Sequence, residues 1–264
     1  MIAMNSIAFF SMKGGTGKTT LCSSLSWILA EEGRSILMID MDPQGHLSHF
    51  YKITPPPGRA TLFGSLIYDQ PLAEAILPTS HPNLFILPST EELLDLNEAL
   101  ISKPWREWKL KDALDALRPF PYDMVIIDVG ANLSLITYNA LFASRMLIIP
   151  VLPDIFSYFS LKTFFRYLGK TCNHYNYKFE MIWILINRIN NYRLLDRENK
   201  EALNRYYKKF LLPQAVREDS KLSEATRLRK PITTYAPESS AARDLRQVAR
   251  FIQKITLKPL TEDT

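Results

Sequence analysis

Apolar residues in this chain fall into short unbroken runs, separated by longer stretches in which they recur every three or four positions. Ile7, Ala8, Phe9 and Phe10 form the first run, within 5–11, and read as a strand buried on both faces. Similar runs at 35–39, 84–87, 124–127, 146–151 and 181–186 read as further strands. Helical spacing marks 19–32, where Leu21, Leu25, Ile28 and Leu29 share one face and Gly33 stands at the stop. Helices are also expected over 91–117 with a break at Pro104, and over 156–169, 196–210 and 239–255. The proline-rich stretch 52–60 must be loop. Strands alternating with helices predict a doubly wound α/β fold: a mostly parallel sheet with helices on both faces.

Composition changes this picture little. A chain of 264 residues, 47% hydrophobic and 22% charged, can build an ordinary core, and one domain spanning 1–264 is expected. Cys22 and Cys172 match no metal or redox spacing, which favours two thiols in a reducing compartment. No secretory signal and no apolar run long enough for a bilayer is visible, so a cytoplasmic protein is expected.

Charge is more informative. Residues 1–159 hold 11 Lys/Arg against 16 Asp/Glu, a net of −5. Residues 160–258 hold 21 against 9, a net of +12. A basic C-terminal half beside an acidic N-terminal half suggests a polyanionic partner, the alternative being a solvated basic surface.

The chemistry concentrates between the first strand and first helix, in Met12-Lys13-Gly14-Gly15-Thr16-Gly17-Lys18-Thr19-Thr20. A Walker A loop needs glycines that let backbone N–H groups turn inward around a phosphate, then a lysine and a Ser/Thr at the helix start. Gly14, Gly15 and Gly17 meet the first need; Lys18 would neutralise the β- and γ-phosphates, and Thr19 would ligate Mg²⁺. Asp42, just past the second strand, is placed to orient an attacking water, and Asp40 to hold Mg²⁺ through water; alternatively both only cap the following turn. Asp128 ends an apolar strand, where a carboxylate is costly unless it faces a cation, as in a Walker B site; a helix cap is the alternative.

The segment Lys13 to Thr20 resembles the deviant Walker A box of the ParA/Soj/MinD ATPases. Asp40-Met41-Asp42-Pro43-Gln44 is similar to the ParA-type switch I signature, and 122–128 to its Walker B strand. Lys221-Leu-Ser-Glu-Ala225 and 230–237 resemble later ParA segments in the expected order, so the likeness runs from about residue 5 to 255. The chain starts at the first strand, without the helix-turn-helix of the larger plasmid ParA proteins. The resemblance implies ATP and Mg²⁺ as ligands, a sandwich homodimer in which Lys13 reaches the partner's nucleotide, and adenine contact near Asn187. It also implies nonspecific DNA binding, nucleoid association, and slow hydrolysis stimulated by a ParB-like or other adaptor protein. Gly130-Ala131 stands where ParA proteins carry Pro-Pro, so the switch geometry differs there. If that change disables the switch, a nucleotide-locked scaffold is a further reading.

Candidate phosphate contacts for DNA are Arg217, Lys221, Arg227, Arg229, Lys230, Arg243, Arg246 and Arg250, with the last three in a row on one helix face. The competing reading is a MinD/FlhG-like membrane-associated ATPase. Pro259 and the acidic tail after Ile255 suit lipid poorly.

Overall fold

The computed structural model describes residues 5–117 and 120–256. Its seven strands are β1 (Ser6–Phe9), β2 (Ile36–Met41), β3 (Leu77–Pro78), β4 (Leu84–Leu87), β5 (Met124–Val129), β6 (Met146–Val151) and β7 (Met181–Ile186). They form one sheet in the order β3-β4-β2-β5-β1-β6-β7. All neighbours run parallel except β3 against β4. The helices are α1 (Lys18–Glu31), α2 (His46–Tyr51), α3 (Leu62–Ile67), α4 (Leu72–Ala75), α5 (Leu96–Ile101), α6 (Lys109–Asp115), α7 (Leu135–Phe142), α8 (Ile155–His174), α9 (Leu194–Tyr207), α10 (Ser220–Arg227), α11 (Ile232–Tyr235) and α12 (Ser240–Thr256). The doubly wound α/β expectation holds.

Alternation along the strands splits the core in two. Ile7 and Phe9 of β1, Ile36 and Met38 of β2, and Met124 and Ile126 of β5 pack with α1 and α12. The intervening Ala8, Leu37, Ile39, Val125 and Ile127 pack with α3 and α5 to α9 on the opposite face. By the same parity Asp40 and Asp128, which are register partners, point toward the α1 face. Strand β1 lies between β5 and β6, so its C-terminal loop opens at the centre of the sheet edge.

Several helix boundaries differ from expectation. The stretch 91–117 is not one broken helix but a 3-10 turn at Glu91–Leu94 followed by α5 and α6. Pro104 cannot donate and disfavours the helical basin for Lys103, and Trp105 takes φ 51°. The buried Asn139 side chain secures the gap: its amide donates to Arg106 O (2.7 Å) and its oxygen accepts from Leu110 N (3.0 Å). Helix α8 runs past Gly169 to His174, because Leu168 just before it and Thr171 beyond it are both buried. That packing outweighs the roughly 1 kcal/mol a glycine costs inside a helix. Helices α2, α3, α4, α7, α10 and α11 were not anticipated; all have eight residues or fewer, too short for periodicity to show. The stretch 52–60 is loop, as expected. Cys22 and Cys172 are free thiols, and burial pushes both above the usual range.

The C-terminal layer is tied together by Arg217, whose guanidinium donates twice to Asp244 (2.8 and 2.7 Å) while its backbone N–H donates to the same carboxylate (2.9 Å). Asp244 is 6% exposed. Asp244→Ala should lower stability by about 2 kcal/mol, measured by urea denaturation, because it leaves a backbone donor and a partly buried guanidinium without their acceptor.

Candidate nucleotide site

The loop after β1 is shaped by glycine and locked by one amide. Gly15 has φ 74° and Gly17 φ 90°, both in the left-handed region. A Cβ on Gly17 would sit 2.3 Å from Asn187 Nδ2, so no other residue fits. That amide donates to Thr16 O (2.8 Å), and Asn187 is 2% exposed. Asn187 was expected at the adenine; the structure instead gives its side chain to the loop. Its neighbour Arg188 reaches the cavity in its place. Thr16 is likewise buried, inside the loop.

The loop opens on a cavity of about 510 Å³, within the usual range for a small-molecule site. Gly14, Gly15, Gly17, Lys18, Thr19 and Thr20 line its floor, with Asp42 and Ala131 on one rim. Lys18 is buried; desolvation pulls its ammonium below the ordinary value, while Asp128 and Asp42 hold it up. A desolvated cation at a glycine loop and a helix N-terminus is a site prepared for an anion.

Two carboxylates, Asp128 and Asp42, act on this cation, and a third, Asp40, lies beside Asp128. Asp128 is 1% exposed, and neither of its oxygens has a hydrogen-bond partner. Burial raises its carboxyl well above the usual range, with the neighbouring Asp40 raising it further. Thr19 and Lys18 favour the charged form, the hydroxyl without completing a hydrogen bond. An orphaned buried carboxylate beside Thr19 fits a hydrated divalent cation. Asp40 is bound into the fold instead: Oδ2 accepts from Ser48 N (2.8 Å) and Ser48 Oγ (2.7 Å), and Oδ1 accepts from Asp42 N (3.3 Å). Burial lifts its carboxyl to about 6 despite those bonds. The turn-anchoring alternative therefore describes Asp40 better than direct metal contact. Asp42 Oδ1 accepts from Gln44 N (3.0 Å), closing the turn that starts α2. Its carboxylate also stands against Gly130, where an added Cβ would meet Asp42 Cγ at 3.4 Å, an ordinary contact. The Gly130-Ala131 departure therefore leaves open room beside Asp42.

Lys13 does not line this cavity. Its ammonium pairs with Asp154 Oδ2 (2.5 Å) and lies 5.8 Å from the Phe156 ring centroid. Asp154 caps α8 by accepting from Ser157 N (2.7 Å).

The cationic candidates separate. Arg217 is committed to Asp244, and Lys221 pairs with Glu224 (2.9 Å). Arg243 donates to Glu238 O (2.8 Å) and Arg246 to Pro237 O (2.7 Å). Arg227, Lys230 and Arg250 are exposed. Arg229, assigned from sequence to a polyanion surface, lines the phosphate cavity together with Thr226, Arg188, His46, His49 and Phe50. Nothing in local sequence marks these residues: α2 is six residues long, and Arg229 shares a cavity with Lys18 only because the fold brings the end of α10 to the glycine loop. Arg229 also holds an unusual backbone. It follows the α10 cap with φ 54°, its N–H bonds Thr226 O, and the next N–H bonds Ala225 O. This is the helix-ending motif in which glycine is the ordinary occupant. Residues 257–264, on which the lipid-anchor alternative turned, lie outside the described residues. Among the described residues no helix is long and apolar enough to cross a membrane.

A glycine loop on the central strand, its lysine, and a buried acid on the adjacent strand define a P-loop nucleoside-triphosphatase. Residues 4–181 match the family model described as AAA domain. The chain is 35% identical over 237 residues to the cell division protein PomZ of Myxococcus xanthus, covering 90% of this chain and 74% of that one. It is 30% identical over 236 residues to the sporulation initiation inhibitor protein Soj of Bacillus subtilis, covering 89% and 93%. The septum site-determining protein MinD of Pyrococcus horikoshii, solved with Mg-ADP, matches with a TM-score of 0.75 at 25% identity, covering 97% and 100%. The chain belongs to the ParA/Soj family of ATPases.

Two outcomes test the site. Arg229→Gly should raise stability by up to about 1 kcal/mol, since it relieves a left-handed non-glycine, while weakening ATP binding measured by calorimetry. Asp128→Asn should stabilise the ligand-free protein by about 1–2 kcal/mol near neutral pH. The sign follows from linkage: an acid raised in the folded state holds its proton there while the unfolded chain has released it. Stability from this group is therefore present at about pH 4 and lost as pH rises. Urea melts should show the variant's advantage growing from pH 4.5 toward 7.5.

Proposed function

We propose that the chain is an ATP-driven switch that partitions or positions a plasmid, chromosome or other cargo. ATP with Mg²⁺ occupies the cavity and a sandwich homodimer forms. That dimer binds DNA without sequence preference, which would hold it on the nucleoid. A ParB-like or other adaptor protein stimulates slow hydrolysis, and the dimer comes apart. The observation that carries the nucleotide half of this reading is the desolvated Lys18 beside the orphaned Asp128 carboxylate at the mouth of the glycine loop. Lys18 is desolvated and held charged by Asp128 and Asp42, the Asp128 oxygens have no hydrogen-bond partner among the described residues, and phosphate oxygens with a divalent cation would supply partners to both.

Each residue then has a task. Backbone N–H groups of 14–19 cradle the phosphates, and Lys18 takes the charge of the β- and γ-oxygens. Thr19 and Asp128 would hold Mg²⁺, and Asp40 keeps the β2–α2 turn in place behind them. When bound, Mg²⁺ would neutralise charge that develops on the phosphate oxygens. Asp42 orients the attacking water and Gly130 leaves it space. Lys13 acts across the dimer: within one chain it is turned away from its own cavity toward Asp154, which supports a target on the partner.

Lys18→Ala should abolish ATP binding in a calorimetric titration. Lys13→Ala should bind ATP yet stay monomeric by light scattering with a nonhydrolysable analogue; normal dimerisation would remove its trans role. Asp42→Ala should bind and dimerise but hydrolyse ATP slower by roughly 100-fold or more, the usual worth of a positioned general base.

A further inference from the structure

The positive charge of the C-terminal half is not spread evenly. Residues 160–210 hold eleven Lys/Arg against four Asp/Glu, whereas 211–258 hold ten against five. In the second stretch, Arg217 and Lys221 are in ion pairs, Arg243 donates to Glu238 O, Arg246 donates to Pro237 O, and Arg229 lines the phosphate cavity, which leaves Arg227, Lys230, Arg250 and Lys254 exposed on or beside two helices that also carry Glu224 and Asp244. The first stretch gathers its free cations on one helix without acids. Helix α8 carries Lys162, Arg166 and Lys170 and has no acidic residue among its twenty positions. All three cations are exposed, and none makes an ion pair or a hydrogen bond among the described residues.

Four residues advance about 6 Å along a helix and overshoot a full turn by about 40°, so these cations form a nearly straight row about 12 Å long. Leu161, Phe164 and Leu168 on the opposite side are buried in the core, which fixes α8 flat against the sheet. Helix α9 lies alongside. The Tyr158 ring meets Tyr206 at 5.0 Å, and Phe165 stacks on Tyr207 at 5.7 Å and meets Phe210 at 5.0 Å. These contacts bring the end of α9, with exposed Arg205, Lys208 and Lys209, beside the middle of α8. The acidic residues of α9, Asp196, Glu198 and Glu201, lie farther back toward its start, and Asp196 is buried.

We propose that the exposed faces of α8 and the end of α9, rather than α10 and α12, form the surface that takes double-stranded DNA. This rests on the DNA-binding reading and assigns it a place. A duplex carries one charge per about 1.7 Å of its axis, so a 12 Å row of unpaired cations spans several phosphates. Lysine and arginine contacts to phosphate read no base, which suits binding without sequence preference. A lipid surface fits less well at the row itself: between the three cations the exposed positions are Thr163 and Gly169, and the exposed apolar residues of α8, Ile155, Phe156 and Phe159, lie before the row.

The test compares full-length protein carrying Lys162→Gln, Arg166→Gln and Lys170→Gln with wild type and with an Arg227→Gln, Arg250→Gln variant. Glutamine keeps the helix propensity of the residues it replaces, and circular dichroism checks the fold. Fluorescence anisotropy with random-sequence duplex and a nonhydrolysable ATP analogue is read across a salt series. The triple variant should lower the log–log salt slope by about 2.7, at about 0.9 per lost contact, and weaken binding roughly tenfold or more. The double variant should keep the wild-type slope, and all three proteins should hydrolyse ATP alike without DNA. A wild-type slope in the triple variant, with DNA bound, overturns the placement and leaves the DNA reading standing. No DNA binding by ATP-loaded wild type at any salt overturns the DNA reading itself. Wild type that ignores DNA but pellets with phosphatidylglycerol vesicles, losing this in the triple variant, makes the occupant a lipid and overturns the proposal.

Discussion

Two buried carboxyl groups at the ends of two adjacent strands organise the active half of this molecule. Asp40 and Asp128 are register partners, both on the α1 side of the sheet, and both almost without solvent. Two carboxylates cannot share such a place unless each is answered. Asp40 is answered by the fold, through Ser48 and the Asp42 N–H, and this holds the β2–α2 turn where Asp42 must stand. Asp128 is left unanswered except by the charge of Lys18 and a Thr19 hydroxyl that does not complete a bond. A divalent cation beside Thr19 would supply the partner that the Asp128 carboxyl lacks among the described residues.

A second constraint is the closeness of the glycine loop to β7. Gly17 has no room for a Cβ because the Asn187 amide lies against it, and that amide holds the Thr16 carbonyl. The loop is thus fastened from a strand two places away in the sheet. Arg188, next to the fastening, and Arg229, at the end of α10, carry positive φ angles of 56° and 54° and both line the cavity. Left-handed non-glycine backbones cost about 1–2 kcal/mol each. Their location at one cavity matches the tendency of strain to gather where ligands bind.

Much of the fold could be read from the chain itself. Strand runs such as Ile7–Phe10 and 124–127 are apolar at consecutive positions because both sheet faces are covered, and this marks them without reference to any other segment. Long helices such as α1, α9 and α12 showed through their spacing to within three residues. The short helices did not. Helix α2 begins at Gly45 with φ 62° and packs only Leu47 and Ser48 inward, too few positions to make a period. Residues 91–117 showed a single division, at Pro104, because Leu93, Leu96, Leu100, Leu110 and Leu114 all face the core. What secures that division is the side chain of Asn139, a long-range bond with no local trace.

The phosphate site divides in the same way. Sequence alone determined the glycine loop, Lys18, Thr19 and the two strand-end acids, because a phosphate demands inward N–H groups followed at once by a cation and a hydroxyl. Those demands are met by consecutive residues, so they survive as a pattern. Only the tertiary structure decided what each remaining polar group faces. It sent Asn187 to the loop, gave Asp40 to Ser48 and Lys13 to Asp154, and placed Arg229 over the nucleotide cavity. It also occupied four of the eight expected DNA-contacting cations internally and left the α8 row free. A charge counted along the chain keeps its sign on folding, but which opposite charge meets it depends on residues far away in sequence.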